Sequence, residues 1–424
     1  MLIENATIVL PERIIVRGYL YFAAPNTDPI IGEGAAPLLE IMPAQRIDGT
    51  HKVLLPGLTN AHTHLEQTFM RGYSANRSLL EWLKGVIWKL QAAMSAEDVR
   101  LAATLGIVEA VRGGATHIVD HHKVPFSAQH TDVVLDAADK LGVRLTLARA
   151  WADRGANAES GPAIVQDLQR LFGEWHGAAN GRIRIANGPL VPWRCTPALL
   201  QQTTALARQH GAVTHCHMNE TQEEVAMTLG ETGKRPLEWF DTIGVLGSDF
   251  QAVHGVWLSD QEINALRQNS VTVVHCPAAN MILASGAAPI ARLLREGVPV
   301  RLASDGPASN DGQDMFEMMR LCALLGKVST LDAQMMQPHQ VIGMAIGHTQ
   351  PRDWVMLNMN AAHIQPIGDI QASLLYNCRG SDVDTVIVDG RLLMQNKHFI
   401  GLDEGALLEE CRARVHALRL RAGI

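Results

Sequence analysis

The chain has 424 residues, of which 47% are apolar and 19% are charged, and its formal net charge is −7. This composition argues against disorder, and an acidic balance without a Lys/Arg cluster argues against a nucleic-acid partner. The sequence shows neither a signal peptide nor the ~20 consecutive apolar residues needed to cross a bilayer, so we predict a cytoplasmic protein without membrane contact. The six cysteines lack C-x-x-C spacing and are expected to be buried thiols.

The two ends of the chain have the pattern of a small β domain. Residues 1–56 contain short alternating apolar stretches around a Gly/Pro-rich segment, and residues 352–400 contain the strand-like run 383–388 followed by the turn Asp389-Gly390. We predict that both ends pair into one small β-sandwich domain. A helix within residues 401–424 is expected to finish the chain.

The middle of the chain, residues 57–351, repeats a strand-plus-helix pattern. Eight short apolar runs start about 34 residues apart on average, which suits serial β/α units of about 30 residues or more. Ser95 and Ser259 begin capping boxes, and Thr196 precedes a proline at a helix start. The predicted fold class is therefore α/β, with a (β/α)8 TIM-like barrel beside the small β domain. The predicted barrel strands are 58–64, 116–121, 143–150, 182–187, 212–217, 251–255, 271–275 and 299–304.

Two histidines one residue apart, His62 and His64, lie where the first barrel strand ends. Side chains at positions i and i+2 of a strand point to the same side, so both imidazoles can approach one metal ion. Further polar side chains end other predicted strands, and in a barrel these carboxyl ends open onto a single face. Imidazole nitrogen and carboxylate oxygen are common ligands of borderline divalent metals. The sequence thus predicts a metal site assembled from the residues His62, His64, His121, Asn187, His217, His254, His275 and Asp305 or a subset of them.

Several longer motifs resemble those of the amidohydrolase superfamily, and within it the metal-dependent aminohydrolases. This group includes guanine, 8-oxoguanine, S-adenosylhomocysteine and triazine deaminases or chlorohydrolases. The motifs that support the resemblance are 55–65 (LPGLTNAHTHL), 71–72 (RG), 215–221 (HCHMNET), 274–280 (VHCPAAN), 283–286 (LASG), 304–306 (SDG) and 386–390 (VIVDG).

The resemblance implies a mononuclear metal centre. Its ligands would be His62, His64, His217 and Asp305, with Glu220 and His254 beside them. Superfamily members with two metals bridge them by a lysine on the fourth strand, and residues 182–187 contain none. One divalent ion is therefore expected, with Zn²⁺ as the first choice and Fe²⁺ compatible with the same ligands.

A metal centre of this kind indicates a hydrolase in which the metal activates a water molecule. A divalent cation lowers the pKa of bound water from 15.7 towards ~7. Asp305 can take the proton of the water, His254 can hydrogen-bond the nucleophile or the oxyanion, and Glu220 can protonate a ring nitrogen or the leaving group.

The substrate contacts are expected around the loops that follow the strands. Gln67 resembles the glutamine with which family members bind an amide edge, and its side chain can both donate and accept. Trp82 and Trp193 could cover an aromatic ring. The predicted substrate-binding residues are Gln67, Trp82, His122, Trp193, Asn280 and Asn310.

The predicted function is hydrolytic deamination of an amino-substituted nitrogen heterocycle, namely an oxopurine, pterin or oxopyrimidine such as 8-oxoguanine, guanine or isocytosine. A triazine hydrolase that releases chloride or an alkylamine is the first alternative. A cyclic amidase and a non-catalytic metal-binding scaffold are the others. The expected partner is thus a small heterocyclic molecule. The sequence does not decide between a monomer and a homo-oligomer, although barrels of this size often associate.

Overall fold

The computed structural model describes residues 1–36, 43, 45–123, 127–347 and 351–424. The predicted small-domain range 1–56 and barrel range 57–351 each include a few residues outside this description, namely 37–42 and 44 in the first and 124–126 and 348–350 in the second.

Eight parallel strands form the barrel in the described part of the chain, and they neighbour one another in sequence order. The predicted α/β barrel is confirmed, and each predicted strand overlaps an observed one. The strands are β6 (Leu58–Thr63), β7 (Ala115–His122), β8 (Arg144–Trp151), β9 (Ile183–Pro189), β10 (Thr214–Met218), β11 (Phe250–His254), β12 (Thr272–His275) and β13 (Val300–Leu302).

Contacts between the segment after β13 and strand β6 bring the two ends of the barrel sheet together. The Asp305 amide donates to the His62 carbonyl oxygen at 3.0 Å. The Asn60 side chain accepts from the Ser304 amide at 3.0 Å and donates to the Ser304 hydroxyl at 2.7 Å. Because Asn60 and Ser304 are fully buried, these bonds form without competition from water. They fix Asp305 beside the two histidines of the first strand.

Helices connect the strands, and sequence signals mark several of their starts. The hydroxyls of Ser95 and Ser259 accept from backbone amides three residues later, as the capping boxes predict. A 3₁₀ helix, Leu65–Met70, follows β6 directly. The α-helices are α1 (Leu79–Trp82), α2 (Trp88–Ala93), α3 (Ala96–Arg112), α4 (Ala128–Leu141), α5 (Gly161–Glu174), α6 (Ala178–Gly181), α7 (Pro197–Gln209), α8 (Gln222–Thr232), α9 (Pro236–Thr242), α10 (Asp260–Gln268), α11 (Pro277–Ile282), α12 (Ile290–Arg295), α13 (Met315–Thr330), α14 (Pro338–Ile346), α15 (Ile370–Tyr376) and α16 (Glu404–Ala422).

The two chain ends share one mixed sheet, which is the small β domain expected from the sequence. Strand β5 pairs in parallel with β1 and antiparallel with β14, so the N-terminal and C-terminal segments are hydrogen-bonded to each other. Its strands are β1 (Leu2–Val9), β2 (Ile14–Tyr21), β3 (Ile30–Glu33), β4 (Arg46–Asp48), β5 (Lys52–Pro56), β14 (Trp354–Asn358), β15 (Val383–Val388), β16 (Arg391–Gln395) and β17 (His398–Phe399).

No helix in the described residues is both long enough and apolar enough to span a bilayer. The last helix, α16, instead packs along α3, where Arg414 Nε donates to Asp98 Oδ1 at 3.1 Å.

A buried arginine joins the barrel to the terminal sheet. Arg144, the first residue of β8, donates from Nε to Asp353 Oδ2 at 2.6 Å and also pairs with Asp389. All three side chains are buried. Removing the guanidinium would leave two carboxylates in a region that water does not reach.

We therefore predict that Arg144→Ala lowers the free energy of unfolding by about 3–5 kcal/mol, the usual cost of breaking a buried ion pair. Urea denaturation followed by circular dichroism measures it. The control is Arg292→Ala, since Arg292 pairs with Asp260 and Glu296 at the surface, where solvent screens ion pairs, so this variant should lose far less stability. Equal losses in the two variants would contradict the prediction.

Candidate metal centre and catalytic site

The four side chains predicted as metal ligands lie together at the carboxyl ends of β6, β10 and β13. The donor atoms of His62, His64 and His217 all lie within 4.8 Å of one another. Asp305 Oδ1 is 3.2 Å from His62 Nε2 and 3.5 Å from His64 Nε2. His217 Nε2 is 3.4 Å from His64 Nε2. Three imidazole nitrogens and one carboxylate oxygen thus face a common point.

The second nitrogens of two of these rings are fixed by backbone carbonyls. His64 Nδ1 donates to the His121 carbonyl at 2.7 Å, and His217 Nδ1 donates to the Leu190 carbonyl at 2.8 Å. A proton on Nδ1 leaves Nε2 with a free lone pair. Both rings therefore present a metal-binding nitrogen to the centre.

A chain of side chains fixes the third ring. His215 Nδ1 lies 2.7 Å from Gln251 Oε1, which can only accept, so His215 Nε2 carries the lone pair. His62 Nδ1, at 2.8 Å from that nitrogen, is then the donor. His62 Nε2 therefore carries a lone pair and no proton, and it is buried without a hydrogen-bond partner among the described residues. Outer partners of this kind orient the ligands of a metal.

The donor set fits a divalent cation. Burial, reinforced by the neighbouring imidazoles, holds the pKa of His62 and of His217 well below the usual value, so both are neutral. Burial by itself would raise the pKa of Asp305, but the imidazoles of His64, His254 and His217 hold it below its ordinary range. Three neutral imidazoles and a carboxylate are ligands that Zn²⁺ and Fe²⁺ accept.

Asp305 is held in a strained conformation by its own loop. Its φ is +64°, in the left-handed region. Its Oδ1 accepts from the Gly306 amide at 2.7 Å and its Oδ2 accepts from the Ser309 hydroxyl at 2.8 Å. Such strain persists where the surroundings determine the geometry, and here it aims the carboxylate at the three histidines.

His254 and Glu220 lie next to each other beside this centre. His254 also has a positive φ, +74°, and its Nδ1 donates to Asn280 Oδ1 at 3.0 Å. His254 Nε2 lies 3.4 Å from Glu220 Oε2. The Ser285 hydroxyl donates to Glu220 Oε1 at 3.2 Å.

The environment of Glu220 favours its protonated form. Burial, and next the nearby charge of Asp305, raise the pKa of Glu220 to about 8. Burial lowers the pKa of His254. Glu220 is thus an acid that keeps its proton near neutral pH, next to a neutral imidazole.

His64, His217 and Asp305 open into a cleft. Three of the predicted substrate contacts, Gln67, Trp82 and Trp193, line it, as do Glu220 and His254. Its lining also includes five apolar side chains from residues 79–88, namely Leu79, Leu80, Trp82, Leu83 and Trp88. The cleft therefore combines the polar groups of the metal centre with apolar side chains that can contact a substrate.

The other three predicted substrate contacts lie outside the lining of this cleft. Asn280 is behind His254, which it orients. Asn310 holds its own loop, donating to the carbonyls of Ser304 at 2.9 Å and Gly312 at 2.8 Å. His122 is fully buried at the end of β7, near Asp120 and Glu66.

Sequence reasoning did not select four polar residues that line the cleft, namely Gln91, Lys123, Arg194 and Glu224. Burial, and next Arg194, lower the pKa of Lys123 to about 8. Lys123 and Arg194 follow β7 and β9, and this position after a barrel strand could have indicated that they lie near the cleft. Gln91 lies on α2 and Glu224 in a capping box of α8, where nothing in the local sequence indicates a cleft.

Comparison with known proteins identifies the family. Residues 53–345 match the model of the amidohydrolase family. The chain belongs to the amidohydrolase family. This amidohydrolase is 34% identical to a 5-methylthioadenosine/S-adenosylhomocysteine deaminase of Syntrophomonas wolfei, over 99% of both chains. It is 37% identical to a 5'-deoxyadenosine deaminase of Methanothermobacter thermautotrophicus, over 87% of this chain and 88% of that protein.

Solved structures resemble this amidohydrolase along almost its whole length. A zinc-bound adenosine deaminase from Xanthomonas campestris superposes with a TM-score of 0.91 at 28% identity, covering 99% of this chain and 98% of that one. The atrazine chlorohydrolase TrzN from Arthrobacter aurescens, at 22% identity, shares the fold with a TM-score of 0.89 over 98% of this chain and 99% of that one. The prediction of family and enzyme class is confirmed: the chain is a hydrolase of carbon–nitrogen bonds other than peptide bonds, a deaminase of a nitrogen heterocycle with a site for a divalent metal ion.

Proposed function

We propose that this amidohydrolase deaminates a purine nucleoside of the adenosine type with an altered 5′ position, releasing the exocyclic amino group as ammonia. Relatives at 34% and 37% identity have names that specify such substrates. The proposal replaces the expectation of a bare oxopurine, pterin or oxopyrimidine. It keeps the reaction and changes the substrate.

The observation that supports deamination best is the position of Glu220. Its carboxyl group lies in the same cleft as three of the four candidate metal ligands, His64, His217 and Asp305, and burial raises its pKa to about 8. An acid that is protonated near neutral pH can supply a proton to a ring nitrogen or to the departing amine. Near-neutral general acids of this type are produced by burial in other enzymes.

The remaining steps follow from the neighbours of Glu220. When bound, a divalent cation at His62, His64, His217 and Asp305 would make water acidic enough to act as a nucleophile at neutral pH. Asp305, whose pKa is held low, accepts the proton of the attacking water. His254 Nε2 carries a lone pair, because Nδ1 donates to Asn280, so it accepts a hydrogen bond from that water and holds it in place. Glu220 delivers its proton to a ring nitrogen, and the proton that Asp305 accepted passes to the amino group, which leaves as ammonia. The proton of the new hydroxyl group on the ring carbon returns to Glu220 as the C=O bond forms.

The apolar side chains that line the cleft suit the altered 5′ position. Leu79, Leu80 and Leu83 line it together with Trp82 and Trp88. Apolar side chains leave a hydroxyl without a hydrogen-bond partner, which costs free energy, whereas a methyl or methylthio group is buried favourably. We therefore expect 5'-deoxyadenosine or 5'-methylthioadenosine to be used better than adenosine.

Ammonia release from a substrate panel tests the proposal. The zinc-loaded enzyme is assayed with 5'-deoxyadenosine, 5'-methylthioadenosine, S-adenosylhomocysteine and adenosine, and with guanine, 8-oxoguanine and isoxanthopterin. We expect kcat/KM to be highest for a 5′-altered adenosine. Turnover confined to the bare oxo-heterocycles would overturn the nucleoside proposal while leaving the deaminase class intact.

One observation keeps the oxo-heterocycle as a second candidate. Gln67 lines the cleft, and its Oε1 is buried without a hydrogen-bond partner among the described residues. An amide in that state can pair with the N–H of a lactam. If 8-oxoguanine or isoxanthopterin is the better substrate, Gln67→Leu should lower its kcat/KM and leave any activity on nucleosides nearly unchanged.

The raised pKa of Glu220 predicts an alkaline limit to activity. The protonated form is the active one, so kcat is highest below the pKa and falls as pH rises through it. Without a metal ion, the pKa of Glu220 is about 8. A nearby divalent cation favours the carboxylate form, so in the metal-loaded enzyme the fall in kcat is centred at or below that pH. A kcat profile from pH 5 to 10 measures it. The same falling limb in Glu220→Gln would assign it to another group.

A further inference from the structure

A second group of potential metal donors lies one strand away from the catalytic centre. Glu66 lies in the 3₁₀ helix after β6, and Asp120 and His122 lie at the end of β7. All three side chains are fully buried. One donor atom from each lies within 4.8 Å of the other two, and none of the three lines the catalytic cleft.

The two carboxylates are each held at one oxygen only. Glu66 Oε1 accepts from Gln91 Nε2 at 3.0 Å, and Asp120 Oδ1 accepts from the Leu65 amide at 2.9 Å. The other two oxygens, Glu66 Oε2 and Asp120 Oδ2, are buried and have no hydrogen-bond donor among the described residues. Buried carboxylate oxygens without a donor are costly and call for a positive charge.

The spacing of these oxygens around His122 suits a metal ion. His122 Nδ1 lies 3.4 Å from Asp120 Oδ2 and 3.9 Å from Glu66 Oε2. Two ligands that are each about 2.1 Å from one ion lie about 3.0 to 3.4 Å apart at right or tetrahedral angles. A small movement of the Glu66 carboxylate would place all three donors at bonding distance. Two carboxylates and a neutral imidazole also balance the charge of one divalent cation.

We propose that Glu66, Asp120 and His122 form a second divalent-metal site, separate from the catalytic centre. Two oxygen donors and one imidazole suit a first-row ion such as Mn²⁺ or Zn²⁺. The Gln91 and Leu65 hydrogen bonds act as the outer partners that orient its carboxylates. The proposal does not depend on the substrate or on the reaction.

The position of the site gives the ion a structural role. Leu65 follows ligand His64, and its amide binds Asp120. His64 Nδ1 donates to the carbonyl of His121, which lies between Asp120 and His122. An ion at the second site would therefore fasten the turn that contains His64 to the end of β7. It would hold a catalytic ligand in place without touching the substrate.

Metal stoichiometry tests this proposal without any activity assay. Each protein is loaded with Mn²⁺, freed of unbound ion by gel filtration and measured by elemental analysis, and bound Mn²⁺ is observed by electron paramagnetic resonance. We expect two ions per chain in the wild type, one in Glu66→Gln and one in His217→Ala. The double variant should hold none. Glu223→Gln, an exposed change of the same kind, should hold two.

Two outcomes would overturn the proposal. The first is one ion in the wild type and none in His217→Ala, which would mean that a proton, and not a metal, balances the second cluster. The second is a Glu66→Gln variant with the wild-type number of ions. If Glu66→Gln does not fold, Asp120→Asn replaces it, because asparagine keeps an oxygen for the Leu65 amide. The metal content of His217→Ala tests the proposal even without a folded Glu66 or Asp120 variant: one retained ion supports the second site, and none contradicts it.

Discussion

Glu220→Gln is expected to lower kcat by a factor of about 10² to 10⁴, which is the usual contribution of a general acid. Glutamine has the same shape and can still accept from the Ser285 hydroxyl, which now donates to Glu220 Oε1 at 3.2 Å. It cannot donate the proton that Glu220 holds near neutral pH. Steady-state kinetics of the zinc-loaded variant measure the loss, and its metal content should equal that of the wild type because Glu220 is not among the four metal donors.

The control for this experiment is Glu223→Gln. Glu223 lies in the first turn of α8, the helix that begins two residues after Glu220, but is exposed. The substitution makes the same change from carboxyl to amide at an exposed position outside the cleft, so its turnover should stay near the wild-type rate. Wild-type turnover in Glu220→Gln would exclude Glu220 as the proton donor. A loss of metal in that variant would instead assign it a role at the metal centre.

His217→Ala is expected to lose the catalytic ion and, with it, nearly all turnover. The ion contributes several kcal/mol to transition-state stabilisation, and each 1.36 kcal/mol is tenfold, so we expect a fall of about 10³ or more. Binding also stabilises the fold: an ion at 1,000 times its Kd adds about 4 kcal/mol to the free energy of unfolding. The variant should lose this metal-dependent gain, which thermal unfolding with and without zinc measures.

His339→Ala is the matched control for the loss of an imidazole. His339 is exposed in α14, so its removal should change neither the metal content nor the metal-dependent stability. The ligand assignment would be wrong if His217→Ala bound zinc at the catalytic centre with wild-type stoichiometry and affinity.

The sequence predicted the barrel because its signal is local and repeated. Each strand is a short apolar run, each following helix has its own start signal, and the two alternate at a nearly constant spacing. The same regularity predicted that polar residues at strand ends would meet on one face. His62, His64, His217 and Asp305, which are up to 243 residues apart in the chain, do lie together there. Their assignment as ligands stays a prediction that the metal measurements above test.

Contacts from helices and loops could not be predicted in the same way. Gln91 and Trp88 reach the cleft from α2, and Glu224 reaches it from a capping box. A helical residue faces the cleft or the core according to how the whole helix packs, and that orientation depends on distant side chains. His122 illustrates the opposite case, since it ends a barrel strand but turns towards Glu66 and Asp120 rather than into the cleft.

The sequence by itself determined the fold class and the family, and it predicted the set of donor residues, because hydrophobic periodicity and short motifs are properties of neighbouring positions. The tertiary structure decided which nitrogen of each histidine faces the centre, why Glu220 keeps its proton and where the second acidic cluster forms. Each of these depends on burial and on hydrogen bonds between residues far apart in the chain, such as His215 with Gln251 and Glu66 with Gln91. Local sequence does not encode such pairs, since only the closed barrel brings them within a few ångströms.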